Sequence, residues 1–140
     1  MKLDLDNLER AIASLDRAIR TWQTVSTRSI LTPDDQETVK AGVIQNFEVA
    51  YEQAWKFMRR WLHENVSPGI TDGVTRRELF RTATQQRLIE DVDQWMLFHE
   101  ARNLTSHTYD RQNAEQSFAA ACRFLPLVTA LLQQLREHNA

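Results

Sequence analysis

Leu5, Leu8, Ile12, Leu15, Ile19 and Trp22 recur at spacings of three and four in strict rotation, which places all six on one stripe of a helix. Nothing competes with that period elsewhere. The 140 residues include three glycines and three prolines, and no stretch alternates apolar and polar residues for long enough to make a strand. The first helix is expected to end by about Arg28. "LTPDD" then offers Thr32 as a cap, Pro33 at the first helical position, and Asp34 and Asp35 at the positive end of the helix dipole. The second helix carries Val43, Phe47, Ala50, Tyr51, Ala54, Met58 and Leu62, widened by Trp55 and Trp61. It runs to about His63, a length of about 45 Å.

"NVSPGITDG" reads as an irregular loop, and "TRRE" as a capping box, Thr75 with Glu78, opening a short helix through Leu79, Phe80 and Ala83. A fourth helix is expected from Leu88, with Ile89, Val92, Trp95, Met96 and His99 on one face and Asn103 continuing it. Asn113 is expected to cap a last helix bearing Phe118, Cys122, Leu125, Val128, Leu132 and Leu135, kinked at Pro126. The fold expected is all-α: an antiparallel four-helix bundle with an additional short helix, one domain over residues 1–140. The seven-residue rotation of the first stripe also suits a helix-to-helix homodimer.

Seventeen Lys plus Arg against nineteen Asp plus Glu give a net charge of −2, so any attraction for nucleic acid must be local. The charged opening, "MKLDLDNLER", and the lack of a run of about 18 apolar residues lead to the expectation of a cytoplasmic protein with no membrane partner. The one cysteine, Cys122, sits at a core spacing and reads as a small buried apolar residue.

Several chemistries are set aside. No histidine has a glutamate three residues before it, as di-iron bundles require, and no phosphate-loop, dinucleotide, zinc-protease or hydrolase-serine stretch occurs. No metal and no cofactor is expected. Glu48, Glu52 and Lys56, spaced four apart, read as a solvated face with one ion pair, and Trp22, Trp55 and Trp95 as core. Arg76, Arg77 and Arg81 read as an ordinary solvated face.

"RNLTSHTY", from Arg102 to Tyr109, stands apart from this amphipathic background. On a continuing helix Arg102 and His107 lie about 140 degrees apart, while Asn103 shares a face with His107 and Arg102 with Tyr109. If the helix loosens at "TSHTYD", all four border one concavity. Arginine offers a fork of donors matched to a phosphate, histidine exchanges a proton near neutrality, and asparagine can orient either. A 2′-hydroxyl of RNA would then serve as an internal nucleophile. A polar helix C-terminus with His107 near the dipole fits the same pattern, and the residues alone leave both readings open.

"RNLTSHTYD" resembles the R-x4-H-x-Y signature of HEPN domains, in particular the HepT-like toxins, also called nucleotidyltransferase substrate-binding proteins. "VIQNFEVAYEQAWKFMRRWL" resembles that family's long second helix, and "TRRELFRTATQQRLIEDVDQWMLFHEARNLTSHTYD" its third and fourth. The resemblance implies a dimeric helical bundle whose paired motifs form a metal-independent ribonuclease centre at the subunit interface. Arg102 and His107 would be the catalytic pair and Asn103 the polar helper. It further implies an MNT-type nucleotidyltransferase antitoxin that transfers AMP to Tyr109. The alternative is a non-catalytic subunit that holds a substrate or nucleotide for that transferase. RNA affinity would rest on Arg102 and its two-fold mate, with Arg76, Arg77, Arg81 and Arg111 as further cations.

Overall fold

A computed structural model describes residues 2–28 and 30–139. Its elements are α1 (Asp6–Val25), α2 (Pro33–Asn65), α3 (Arg76–Gln85), α4 (Val92–Leu104), a single 3-10 turn (Thr105–His107) and α5 (Arg111–Glu137). Among the described residues there is no strand. The α1 stripe is buried as its period requires, at Leu8, Ile12, Leu15 and Ile19. It packs on α2 and α5 of the same chain, so this face is already occupied and supplies no seam for a second copy.

Helix ends follow local hydrogen bonding. At α2, Thr32 Oγ1 accepts from Asp35 N–H (3.1 Å) and Asp35 Oδ2 accepts from Thr32 N–H (3.2 Å), a closed capping box ahead of Pro33. The box expected at "TRRE" is half formed, with Thr75 Oγ1 accepting from Glu78 N–H (3.1 Å). α3 ends where Leu88 N–H donates to Ala83 C=O (2.9 Å) and Arg87 N–H to Thr84 C=O (3.0 Å), with Arg87 in the left-handed region at φ 63°. That closure leaves Leu88 and Ile89 as buried residues of a connection, and α4 starts later than expected, capped by Asp91. α5 starts three residues earlier than expected because Asp110, not Asn113, is the cap: Asp110 Oδ1 accepts from the N–H groups of Gln112 (2.8 Å) and Asn113 (3.3 Å). α1 ends at Val25, within the expected bound of about Arg28.

Contacts fix the topology. Phe47 meets Phe124, and fourteen residues further along each helix Trp61 Nε1 donates to His138 C=O (3.1 Å), so α2 and α5 run parallel. Glu9 pairs with Arg136, and Tyr51 with His99, so α1 is antiparallel to α5 and α4 antiparallel to α2. The result is an up-down-up-down bundle in which the parallel diagonal pair α2 and α5 touch while α1 and α4 do not. α3 packs against α4 and α2 as the additional short helix.

Phe124 is the hub of the core. It is fully buried, with ring centroids of Phe47, Tyr51, Trp95 and Phe98 at 5.0 to 6.2 Å. The buried face of α5 is Ser117, Ala120, Ala121, Phe124, Val128, Leu131, Leu132 and Leu135, rotated from the expected one, so Phe118, Cys122 and Leu125 are only half-buried. Desolvation nevertheless pushes the Cys122 thiol up, away from the reactive thiolate. α5 runs through Pro126 unbroken, with the ring on the exposed side. By length and apolar composition α5 would suffice to cross a membrane; in this fold its apolar face is the wall of the core against α2 and α4.

Candidate functional site

α4 delivers Arg102 in its last turn, where a cation suits the negative end of the helix dipole. Its guanidinium lies against α2. Nε is 3.3 Å from Glu52 Oε1 and Nη1 is 3.9 Å from Glu48 Oε2, with the three side chains about one-quarter to one-third exposed. The Nε contact is a charge contact without hydrogen-bond alignment. Nη1 donates to Thr105 Oγ1 (3.3 Å), and the same buried hydroxyl donates to the Arg102 carbonyl (2.6 Å). One cation therefore faces two carboxylates and is braced by a threonine from the next turn. The solvated face expected for Glu48 and Glu52 is instead a cross-helix clamp, because α4 crosses α2 at these residues.

Beyond Leu104 the regular α-helix gives way to the 3-10 turn, the break in helix that "TSHTYD" suggests. His107 and Tyr109 are exposed, Tyr109 at 87%, with their rings edge-on at 6.0 Å. The turn is fixed by its backbone: Asp110 N–H donates to His107 C=O (3.2 Å), and Asn113 Nδ2 donates to the same carbonyl (3.2 Å). Asn113 thus braces the motif turn instead of capping α5. Asn103 is exposed. Among the described residues, no hydrogen bond or ion pair joins the His107 or Asn103 side chain to the Arg102 guanidinium. The four motif side chains share one end of the bundle, and of the four it is Tyr109 that lines the groove beside them.

A groove of about 770 Å³ opens beside them, between the first half of α2 and the start of α5. Tyr109 stands on its rim. Thr105 and Glu48, both partners of Arg102, belong to its wall, and Lys40, Gln45 and Arg111 add polar groups.

A second polar cluster lies on the other side of Glu52. Tyr51 Oη and His99 Nδ1 are 2.8 Å apart. Burial holds the phenol well above its usual range, and burial together with Arg76 holds the imidazole below its own, so both groups stay neutral. The Arg76 guanidinium stacks 3.6 Å from the centroid of Trp55, and burial lowers its pKa. Glu52 joins the two clusters: Trp55 Nε1 donates to Oε2 (3.1 Å) while Oε1 faces Arg102. Trp55 is thus half-buried and cation-bearing, not plain core, and Arg76 is no solvated face. Arg77 matches that expectation as an exposed pair with Asp93, and Arg81 is exposed. Among the described residues no three His, Cys, Asp or Glu side chains are grouped to hold a metal ion.

Sequence reasoning missed Glu48, Glu52, Thr105, His99 and Tyr51 as members of the site, and named Arg76 only as a further cation. The available signal was Glu48 and Glu52 flanking a core residue, Tyr51, which puts both carboxylates beside the buried stripe instead of opposite it.

Residues 3–137 match the family described as nucleotidyltransferase substrate binding protein like. A Haemophilus influenzae protein named "probable ribonuclease HepT" is 34% identical over 99% of this chain and 95% of its own length. A solved H. influenzae structure, described as the fold of a substrate binding domain of a nucleotidyltransferase, superposes with a TM-score of 0.86 at 32% identity, covering 95% of this chain and 99% of the other. A Thermus thermophilus crystal structure shares the fold at a TM-score of 0.64 and 24% identity, over 87% of this chain and 98% of that one. With a family match over almost its whole length, and motif residues gathered at one end of the bundle that these relatives share, this chain belongs to the HepT-like, nucleotidyltransferase substrate-binding protein family.

Proposed function

We propose that this protein is a metal-independent ribonuclease toxin, active as a homodimer in the cytoplasm, in which Arg102 stabilises the scissile phosphate and His107 exchanges the proton. The observation that carries the reading is the division of the motif. Arg102 is braced at the bundle surface by Thr105, Glu48 and Glu52, while just beyond Thr105 the chain turns and offers His107 and Tyr109 to solvent. The 2′-hydroxyl of RNA attacks the adjacent phosphorus, the 5′-oxygen leaves, and a cyclic phosphate remains. His107 carries the proton between those oxygens, Arg102 takes up charge on the non-bridging oxygens, and Asn103 orients one of them. A second copy facing the first would supply the wall that a single chain lacks around His107.

Tyr109 serves as the control point. Its phenol oxygen attacks the α-phosphorus of ATP bound by a cognate MNT-type nucleotidyltransferase, and pyrophosphate leaves. Its place on the rim of a groove walled by Thr105 and Glu48 lets the attached AMP lie against the partners of Arg102, where it excludes RNA. The exposure of the phenol fits access by another protein. Purified protein should cleave total RNA, and Arg102→Ala and His107→Ala should not; equal cleavage by His107→Ala would end the catalytic reading. Tyr109→Phe should keep cleavage and resist modification, read by intact mass after incubation with the transferase and ATP.

A second reading has its own support. The two carboxylates on Arg102 and the open groove beside Tyr109 also suit a non-catalytic subunit that holds a nucleotide for the transferase. A chain that binds nucleotide and leaves RNA intact would favour it.

A further inference from the structure

Trp55 sits among cations that make no close ion pair, although the Glu52 carboxylate bonded to its Nε1 still acts on Arg76 from farther away. The Arg76 guanidinium lies 3.6 Å from the ring centroid, Arg59 5.0 Å and the Lys56 ammonium 5.7 Å, and Arg60 lies 5.0 Å from the neighbouring Phe57 ring. Among the described residues, none of these four has a carboxylate oxygen within 4.0 Å, whereas Arg20, Arg77, Arg102 and Arg136 each do. The difference matters because an ion pair cancels charge, while the face of an aromatic ring fixes a cation and leaves its charge intact. Arg76 is also half-buried, with Nη1 shielded from solvent and without a hydrogen-bond acceptor. Covering the ring alone would not need a charge there; a neutral side chain would do so without that desolvation. A local excess of positive charge, built into a chain of net charge −2, suits a polyanion.

The position supplies the rest. Trp55 is tied through its Nε1 to Glu52, whose other oxygen faces Arg102. From Glu52 to Arg59 the row extends about 10 Å along α2. On the reading that Arg102 grips a scissile phosphate, we propose that Lys56, Arg59 and Arg76, held around Trp55, form a track for the neighbouring phosphates of single-stranded RNA. The ring acts as the support for the cations and not as a stacking platform for bases, so the track binds backbone and discriminates little between sequences.

The test is fluorescence anisotropy of a dye-labelled, mixed-sequence single-stranded RNA with the full chain carrying His107→Ala, titrated across salt concentrations. Arg59→Ala and Lys56→Ala, added singly, should each weaken binding several-fold and reduce the slope of log K against log salt by about 0.7. Trp55→Leu, which keeps an apolar side chain but removes the ring face, should weaken binding similarly, with circular dichroism confirming the fold; Arg59 is exposed, so its variant does not depend on that check. Unchanged affinity and slope in Arg59→Ala and Lys56→Ala would overturn the track, and if the chain with His107 intact cleaves RNA the catalytic reading survives without it. Binding that depends on the track, with no cleavage by the chain that keeps His107, would sustain the track and remove the catalytic reading. Variants that bind RNA normally but lose the purified nucleotidyltransferase would overturn the proposal by making this face a protein interface.

Discussion

The two halves of the motif are built in opposite ways. Arg102 is clamped by α2 through Glu48 and Glu52 and braced by the buried Thr105, whereas His107 and Tyr109, only a few residues later, ride on a turn whose backbone is fixed and whose side chains are free. The contrast separates two requirements. A phosphate-binding guanidinium gains from being pre-oriented, since its fork must match fixed oxygens. On the proposed function, the two carboxylates that orient it would also compete with phosphate and set its grip below that of a free arginine. A proton-transferring imidazole and a tyrosine modified by another protein must instead be reachable, and a single chain leaves them so.

The comparison can be broken at several points. The largest effect is expected for His107→Ala, which should lower RNA cleavage by roughly 10²- to 10⁴-fold in single-turnover assays while leaving stability within about 0.5 kcal/mol, because an exposed side chain supports nothing beneath it. Phe124→Ala addresses the frame that holds Arg102. Loss of a ring shared by α2, α4 and α5 should cost about 3–5 kcal/mol in denaturant unfolding, and a cost below about 1 kcal/mol would mean that the hub is not where the clamped half derives its rigidity.

Glu52→Gln sharpens the contrast within the clamp. RNA affinity should rise a few-fold as one competing charge goes, and turnover should fall as the guanidinium loses its orientation; a parallel loss of both would make Glu52 a contributor to binding. The smallest effect concerns His99. Its folded pKa lies below the ordinary histidine value of 6.5, so between those values the unfolded chain binds more protons and stability falls on acidification below about pH 6.5. His99→Gln should flatten that part of the stability–pH curve.

Much of the fold is legible because helical burial repeats with a period that a sequence displays. Spacing alone assigns Leu8, Ile12, Leu15 and Ile19 in α1, and Val43, Phe47, Ala50, Tyr51, Ala54, Met58 and Leu62 in α2, to the core, and all are buried. The face of α5 is less legible. Its apolar residues ring most of the helix, so spacing does not single out Phe124 over Phe118, and contact with neighbouring aromatics decides it. Helix starts shift where two capping residues stand close together, as Asp110 and Asn113 do, because the better placed acceptor wins.

By itself the sequence determined the helical class, the long second helix, the break in helix after Arg102 and the local run that holds Arg102, Asn103, His107 and Tyr109, since each depends on residues near one another in the chain. Only the tertiary structure decided that Glu48 and Glu52 clamp Arg102, that Trp55 gathers cations from α2 and α3, and that Tyr109 borders a groove reaching the partners of Arg102. Most of those relations join residues far apart in the chain. Their energies depend on how helices cross, and a charge pattern read along one helix carries no record of what faces it from another.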